Sequence, residues 1–329
     1  MAEKSLRFDT PKPNYDVFMS VADADRHKAQ AVLATMQECG LSVFVDDGTN
    51  AIGTRNPTAD QALGQSRLLV PYYSEHFARQ ARCQRALMAA FLAGHHSGEP
   101  TKYIATINPE DPVSAHIVPI EVADIRYATR FNLPAALPAL KAKAVKNTAP
   151  IGAAPHPKSP RWIGSSPDTT HSAERYAKLW QLHSALEIGN YPLMSDTVNP
   201  HQIARVAGDS GTGKTDLVAT YAQLFGAQYQ GGVYWTSLQN CPPTYLSVYR
   251  QYIQELRRIS TEIDLPATPP SRDQLLGHLA HYLSLQEAPS LWIVDDMPEN
   301  LDEHIIADGL FVPEPRLHTI LISNQRCRA

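Results

Sequence analysis

Eight consecutive residues, Gly208-Asp-Ser-Gly-Thr-Gly-Lys-Thr215, match the spacing G-x-x-x-x-G-K-[ST] at every fixed position. In a loop of this kind the glycines let backbone N–H groups surround phosphate oxygens, the lysine reaches the β- and γ-phosphates, and the Thr hydroxyl binds Mg²⁺. The predicted nucleotide-binding residues are therefore Gly208, Asp209, Ser210, Gly211, Thr212, Gly213, Lys214 and Thr215.

Two carboxylates stand about 80 residues after this loop, at the end of the apolar run Ser290-Leu-Trp-Ile-Val-Asp-Asp296. At such a position Asp295 is predicted to hold Mg²⁺ through its water shell, and Asp296 to orient an attacking water. Asn324 and Arg326 lie just past the next apolar run, where a sensor of the γ-phosphate is expected. A plain alternative for these two residues is that they cap a polar loop.

The elements that must position these residues alternate between apolar strands and amphipathic helices. The loop is predicted to follow a strand at 203–207 and to open a helix at 216–225, which would direct its positive N-terminus at the phosphates. Further strands are predicted at 232–237, 290–296 and 318–323, and further helices at 173–186, 245–263 and 272–286. The pattern predicts an α/β phosphate-loop NTPase domain.

The first half of the chain shows the same alternation without a glycine-rich loop. Strands are predicted at 15–20, 41–46, 67–72, 102–107 and 123–128, and helices at 25–39, 77–93 and 134–146. Strands separated by helices predict a parallel sheet covered on both faces, here a flavodoxin-like sheet of five strands. A proline-rich segment, 147–160, marks the boundary, so the predicted domains are 13–146 and 161–329.

Composition excludes several classes of protein. The 329 residues allow two domains, each with its own core. A net charge of −4 argues against a nucleic-acid partner. No apolar run approaches the length of a membrane span, and the four cysteines lie far apart, as expected of reduced thiols. We therefore expect a cytoplasmic protein with no membrane partner.

The second half resembles the NB-ARC class of STAND nucleotide switches. Trp162-Ile-Gly164, the glycine-rich loop, Gly231–Trp235, Leu291–Asp296 and Thr319–Ser323 follow in the order of that family. The resemblance implies ATP or ADP with Mg²⁺ as ligands, and slow hydrolysis at most. Ser165 stands where the family usually has arginine. The sequence stops after the sensor strand, so the family's clamping segments and the repeats that would bind an unknown trigger are missing, as in a fragment.

The first half resembles a TIR domain over residues 13–146. The motifs are Tyr15–Ser20, Gly40–Asp46 leading to a loop with Gly53, Gln65–Val70 with Tyr73-Ser74, and Cys83–Leu87. The resemblance implies TIR–TIR self-association and NAD⁺ as substrate or ligand, with Ser20, Gly53 and Cys83 beside the NAD⁺ site.

One position departs from the TIR pattern in a way that affects chemistry. Ala86 stands where NAD⁺-cleaving TIR domains carry glutamate, and Arg82 replaces the usual tryptophan. A methyl group cannot accept the ribose hydrogen bonds or offset the developing positive charge. NAD⁺ hydrolysis is therefore predicted to be lost, either through an engineered substitution or in a natural pseudoenzyme.

The combined reading is an ATP/ADP-binding switch that controls self-association of a TIR effector. Two alternatives stay open. One is a non-enzymatic TIR adaptor that only recruits partner TIR domains, and the other is an active ATPase with a regulatory first half.

Overall fold

A computed structural model describes residues 12–48, 57–124, 128–129, 132–154, 159–164, 175–187, 202–242, 244–265, 271–298, 312 and 314–324. The chain divides into two compact units, Met1–His156 and Pro157–Ala329. Within the described residues, no helix combines the length and the apolar character needed to cross a bilayer.

The first unit alternates strands and helices along the chain. Its elements are β1 (Tyr15–Ser20), α1 (Arg26–Glu38), β2 (Val43–Asp46), α2 (Pro57–Gly64), β3 (Ser66–Pro71), α3 (Glu75–Arg79), α4 (Ala81–His95), β4 (Ile107–Asn108), α5 (Ile120–Asp124), β5 (Ala128–Thr129) and α6 (Leu133–Lys146). Strands β2-β1-β3 form one parallel sheet, and β4 pairs in parallel with β5. The central strand β1 is buried from Val17 to Ser20, as expected of a strand covered on both faces.

The prediction of one continuous five-stranded sheet is only partly correct. The expected strand at 102–107 pairs with β3 through the single bridges Leu69–Ile104 and Tyr72–Ile107, and only its last residue belongs to β4. On the edge that faces away from β3, side chains take the backbone carbonyls of this segment: Lys143 Nζ donates to Ile104 O, and Asn147 Nδ2 donates to Lys102 O. Of the strand expected at 123–128, the first two residues belong to helix α5 and Ala128 belongs to β5, while residues 125–127 lie outside the described residues.

The helix predicted at 77–93 is two helices, α3 and α4. The chain between them is extended at Gln80, which has φ −97° and ψ 115°. The Gln80 side chain accepts a hydrogen bond from the Asp23 N–H at 3.0 Å, so this residue ties the helix junction to the turn that follows β1. The Ser74 hydroxyl caps α3 by accepting from the Phe77 N–H.

The proline-rich segment predicted as a linker from residue 147 is in part packed against the first unit. Asn147 is buried, its carbonyl accepts from Arg67, and its side chain donates to Arg67 O. Ile151 is also buried. These contacts hold the first residues of the segment in place, while the boundary between the two units falls near its middle.

The second unit contains a five-stranded parallel sheet. Its elements are β6 (Trp162–Ile163), α7 (Tyr176–Glu187), β7 (Ile203–Gly208), α8 (Lys214–Leu224), β8 (Val233–Ser237), α9 (Tyr245–Glu262), α10 (Arg272–Ser284), β9 (Ser290–Met297) and β10 (Leu317–Asn324). The strand order is β6-β8-β9-β10-β7. In this register Asn324 lies opposite Gly208. The strand ends that carry the predicted site residues therefore meet at one edge of the sheet.

A buried chain of hydrogen-bonding rings lies in the core of the second unit. His183 Nδ1 is 3.2 Å from the Tyr221 hydroxyl, which is 3.0 Å from that of Tyr229, which is 3.1 Å from His318 Nδ1. Burial lowers the pKa of His318, whereas the Glu187 carboxylate, 3.7 Å away, acts to raise it. This chain joins α7, α8 and β10.

Candidate functional site

The glycine-rich loop of the second unit connects β7 to α8. Gly211 and Gly213 have φ values of +77° and +74°, a left-handed conformation that strains any residue with a Cβ. Gly213 is the N-cap residue of α8. The first backbone N–H groups of a helix have no intrahelical acceptor, so this loop opens onto a terminus suited to an anion.

Lys214 extends its ammonium group back across the loop. Its Nζ donates to Gly208 O at 2.9 Å, to Asp209 O at 2.8 Å and to the Asn324 side-chain oxygen at 2.9 Å. The predicted phosphate-binding lysine and the predicted sensor asparagine are thus in direct contact. The other predicted sensor, Arg326, lies outside the described residues.

Thr215 and the carboxylates at the end of β9 form the second part of this site. The Thr215 hydroxyl donates to Asp295 Oδ1 at 3.2 Å, and the Asp296 N–H donates to the same oxygen at 2.8 Å. Burial raises the pKa of Asp295, and the charge of Asp296 adds to this, while Thr215 and Lys214 act in the opposite direction. Asp296 has φ +57°, an unusual value for a residue other than glycine.

These side chains surround one cavity of about 260 Å³ at the carboxyl ends of the strands. This is the edge of a parallel α/β sheet at which ligands bind. Its polar wall combines the hydroxyl of Thr215, the carboxylates of Asp295 and Asp296, and the side chains of Lys214 and Asn324. Ser210, Gly211, Gly213 and Ser323 also line it.

A second cavity, of about 480 Å³, lies on the other side of the loop, between β7 and α7. Arg175, just before α7, donates from Nη1 to Gly213 O at 2.7 Å, and Lys178 lines the same cavity. Asp209 and Thr212 line it as well. Arg175 and Lys178 are not predicted as site residues from the sequence, because no local pattern around them signals a contact with the glycine-rich loop.

The residues matched to the TIR site of the first unit lie around helix α4. Ala86 is buried, with 6 % of its surface exposed, and Ser20 and Cys83 are fully buried. Burial raises the pKa of the Cys83 thiol to about 12, although the nearby Arg82 guanidinium and Ser20 hydroxyl oppose the shift. The thiol is therefore neutral and unreactive at physiological pH. Gly53 lies outside the described residues.

Arg82 joins the carboxyl ends of β1 and β2. Its Nη1 is 2.8 Å from Asp46 O and 2.7 Å from the Asp46 carboxylate, and its Nη2 is 2.8 Å from Val21 O and 3.1 Å from the Asp23 carboxylate. Its side chain is 17 % exposed. The adjacent Asp25 carboxylate accepts from the Ser74 hydroxyl at 2.5 Å. The carboxylates of Asp23, Asp25 and Asp46 at this end of the sheet are thus all engaged.

Comparison with known proteins bears on the first unit. No curated protein matches the chain. The model of the family described as TIR domain matches residues 17–136, which span β1 to the first turn of α6. Parallel strands alternating with helices in this unit are consistent with that family. The chain therefore contains a TIR domain at residues 17–136.

Proposed function

We propose that this chain is a nucleotide-gated signalling protein, in which ATP or ADP bound with Mg²⁺ in the second unit controls self-association of the TIR domain. The observation that carries the proposal is the convergence of Lys214, Thr215, Asp295 and Asn324 on one cavity beside a glycine-rich loop. TIR domains commonly self-associate, and this association is the signal that nucleotide binding would control. The STAND type of control rests on the order of sequence motifs.

The residues at the cavity fit a magnesium nucleotide. A hydroxyl and a carboxylate oxygen 3.2 Å apart, those of Thr215 and Asp295, are hard oxygen donors of the kind that Mg²⁺ prefers. Bound there, the ion would offset the phosphate charge. Lys214 already holds three oxygen acceptors, so it can exchange them for phosphate oxygens without changing its chemistry. Asp296 is the candidate for orienting a water.

Binding is tested by calorimetric titration of the whole chain with ATP and Mg²⁺. Lys214→Ala should abolish binding, because it removes the cation that reaches the phosphates. Arg257→Ala, which removes an exposed cation from α9, is the matched control and should bind as the unmodified chain does. Equal affinity of the Lys214→Ala variant would contradict the proposal.

Gating is tested by sedimentation velocity with ADP and with a non-hydrolysable ATP analogue. Sedimentation should differ between the two nucleotides in the unmodified chain and become insensitive to them in Lys214→Ala. ATP turnover of about 1 s⁻¹ or more would favour an ATPase over a switch.

The TIR domain is proposed to act through association and not through NAD⁺ cleavage. A methyl group at Ala86 offers no acceptor, the Cys83 thiol is neutral, and Arg82 engages the carboxylates of Asp23 and Asp46. Nicotinamide release should therefore be negligible. Turnover by the unmodified chain at a rate comparable to that of Ala86→Glu would show that the site is wrongly mapped.

The second candidate is a TIR adaptor that never cleaves NAD⁺. The buried Arg82 contacts favour it, because they would persist after glutamate is restored at residue 86. The adaptor predicts no nicotinamide release from Ala86→Glu, together with concentration-dependent assembly. Restored release would favour a lost or removed NADase activity.

A further inference from the structure

A groove of about 460 Å³ lies in the first unit between helix α6 and the chain at residues 104–106. Five of its ten lining residues are alanine, and two more are Ile104 and Leu140. Its polar lining residues are Thr106, Asn132 and Lys143. An apolar cavity of several hundred Å³ with a few polar groups is the usual form of a small-molecule site.

The groove exists because one face of α6 carries small side chains. Asn132, Ala135, Ala136, Ala139 and Lys143 are spaced by one, three or four residues and line the groove together. The neighbouring face carries leucines that pack into the core of the unit. From Asn132 to Lys143 the helix rises about 16 Å, which makes the groove elongated.

Thr106 is a buried residue in the wall of the groove. The residue is 3 % exposed, and its hydroxyl has no hydrogen-bond partner among the residues that the structure describes. A buried hydroxyl without a partner is unfavourable, because it has lost its hydrogen bonds to water. Protein atoms cover this hydroxyl, so Thr106 forms part of the groove wall and is assigned no contact with a ligand.

Lys143 provides a cation at one end of the groove. Its Nζ donates to Thr101 O at 2.8 Å and to Ile104 O at 2.6 Å, and no carboxylate of the described residues lies within ion-pair distance of it. Burial lowers its pKa, although the more distant Glu99 opposes the shift. Two carbonyl groups accept hydrogen bonds but bring no negative charge, so an anion would complete this environment.

We propose that this groove binds an elongated organic anion, with its apolar body along the alanine face of α6 and its charged group at Lys143. The site lies within the first unit and does not depend on nucleotide binding by the second unit.

The test uses the whole chain with the fluorescent probe 1-anilinonaphthalene-8-sulfonate, displaced by octanoate. Ala139→Leu fills the groove and should weaken probe binding at least tenfold. Ala142→Leu is its matched control, since Ala142 is exposed on the same helix but does not line the groove. Both alanines are exposed, so neither change removes a core contact, and circular dichroism confirms folding.

The charge is tested with a second pair of variants. Lys143→Gln should weaken displacement by octanoate at least fivefold, whereas Lys146→Gln, an exposed lysine one turn later, should leave it unchanged. Equal probe binding by Ala139→Leu and Ala142→Leu would overturn the site. Displacement by octanol as effective as that by octanoate would overturn the assignment of an anion.

Discussion

Arg82 offers the sharpest test of how the TIR domain is held together. Arg82→Met keeps the aliphatic length and removes the guanidinium, leaving the Asp46 carboxylate, 6 % exposed, without its partner. Breaking a buried ion pair costs about 3–5 kcal/mol. Because some water reaches Arg82, we take the lower end, about 3 kcal/mol, and assign nothing to the half-exposed Asp23. A loss of about 3 kcal/mol corresponds to a roughly hundredfold higher population of the unfolded form of the first unit.

Hydrogen exchange measured by mass spectrometry reads the two units separately. Peptides from β1 should exchange roughly a hundredfold faster in Arg82→Met, while peptides from β9 keep their rates. Arg79→Met is the matched control. Its ion pair with Glu75 is exposed, so we expect a change below about 0.5 kcal/mol. Acceleration of β1 by less than about threefold, or equal acceleration of β9, would refute the reasoning.

Three further predictions concern single residues. Gly213→Ala should lower the free energy of unfolding of the second unit by about 1–2 kcal/mol, because residue 213 has φ +74° and a Cβ there would lie 2.6 Å from Arg175 Nη1. Urea unfolding followed by tryptophan fluorescence measures this change, since all four tryptophans lie in that unit. Iodoacetamide at pH 9 should label the exposed Cys39 and leave Cys83 unlabelled, because the raised pKa of Cys83, about 12, keeps its thiol protonated. Rapid labelling of Cys83 would contradict its burial. Because the pKa of His318 is lowered in the folded state, the unfolded chain takes up a proton at this residue first as the pH falls. The free energy of unfolding of the second unit should therefore decrease as the pH falls through about 6.5. His318→Gln should make this free energy depend less on pH.

Much of the second unit could be predicted from sequence because its strands are continuous apolar runs. The predicted strands at 290–296 and 318–323 differ from β9 and β10 by one residue at each end at most. The contact between Lys214 and Asn324 was expected only as proximity, since both follow neighbouring strands. Their hydrogen bond depends on the register of β10 against β7, which no local pattern encodes.

The first unit was less predictable where side chains replace strand pairing. The residues at 102–107 have the composition of a strand, yet their carbonyls accept from Lys143 and Asn147, which are distant in sequence. Helix α2 was not predicted, and the break between α3 and α4 depends on the contact of Gln80 with Asp23. The sequence marks Arg82 only as a departure from a motif, because its partners at the carboxyl ends of β1 and β2 lie 36 to 61 residues away.

The hydrogen bond from Lys214 to Asn324 means that any anion binding to this lysine must compete with acceptors from the protein itself. A phosphate bound here as proposed would displace an uncharged amide oxygen and two carbonyls. Its observed affinity would then be the intrinsic affinity multiplied by the fraction of time in which the lysine is free. The side chain at residue 324 would therefore set how strongly Lys214 is held away from a phosphate. A stronger acceptor there would weaken and slow ligand capture, and an apolar side chain would strengthen it, with every residue of the loop left unchanged.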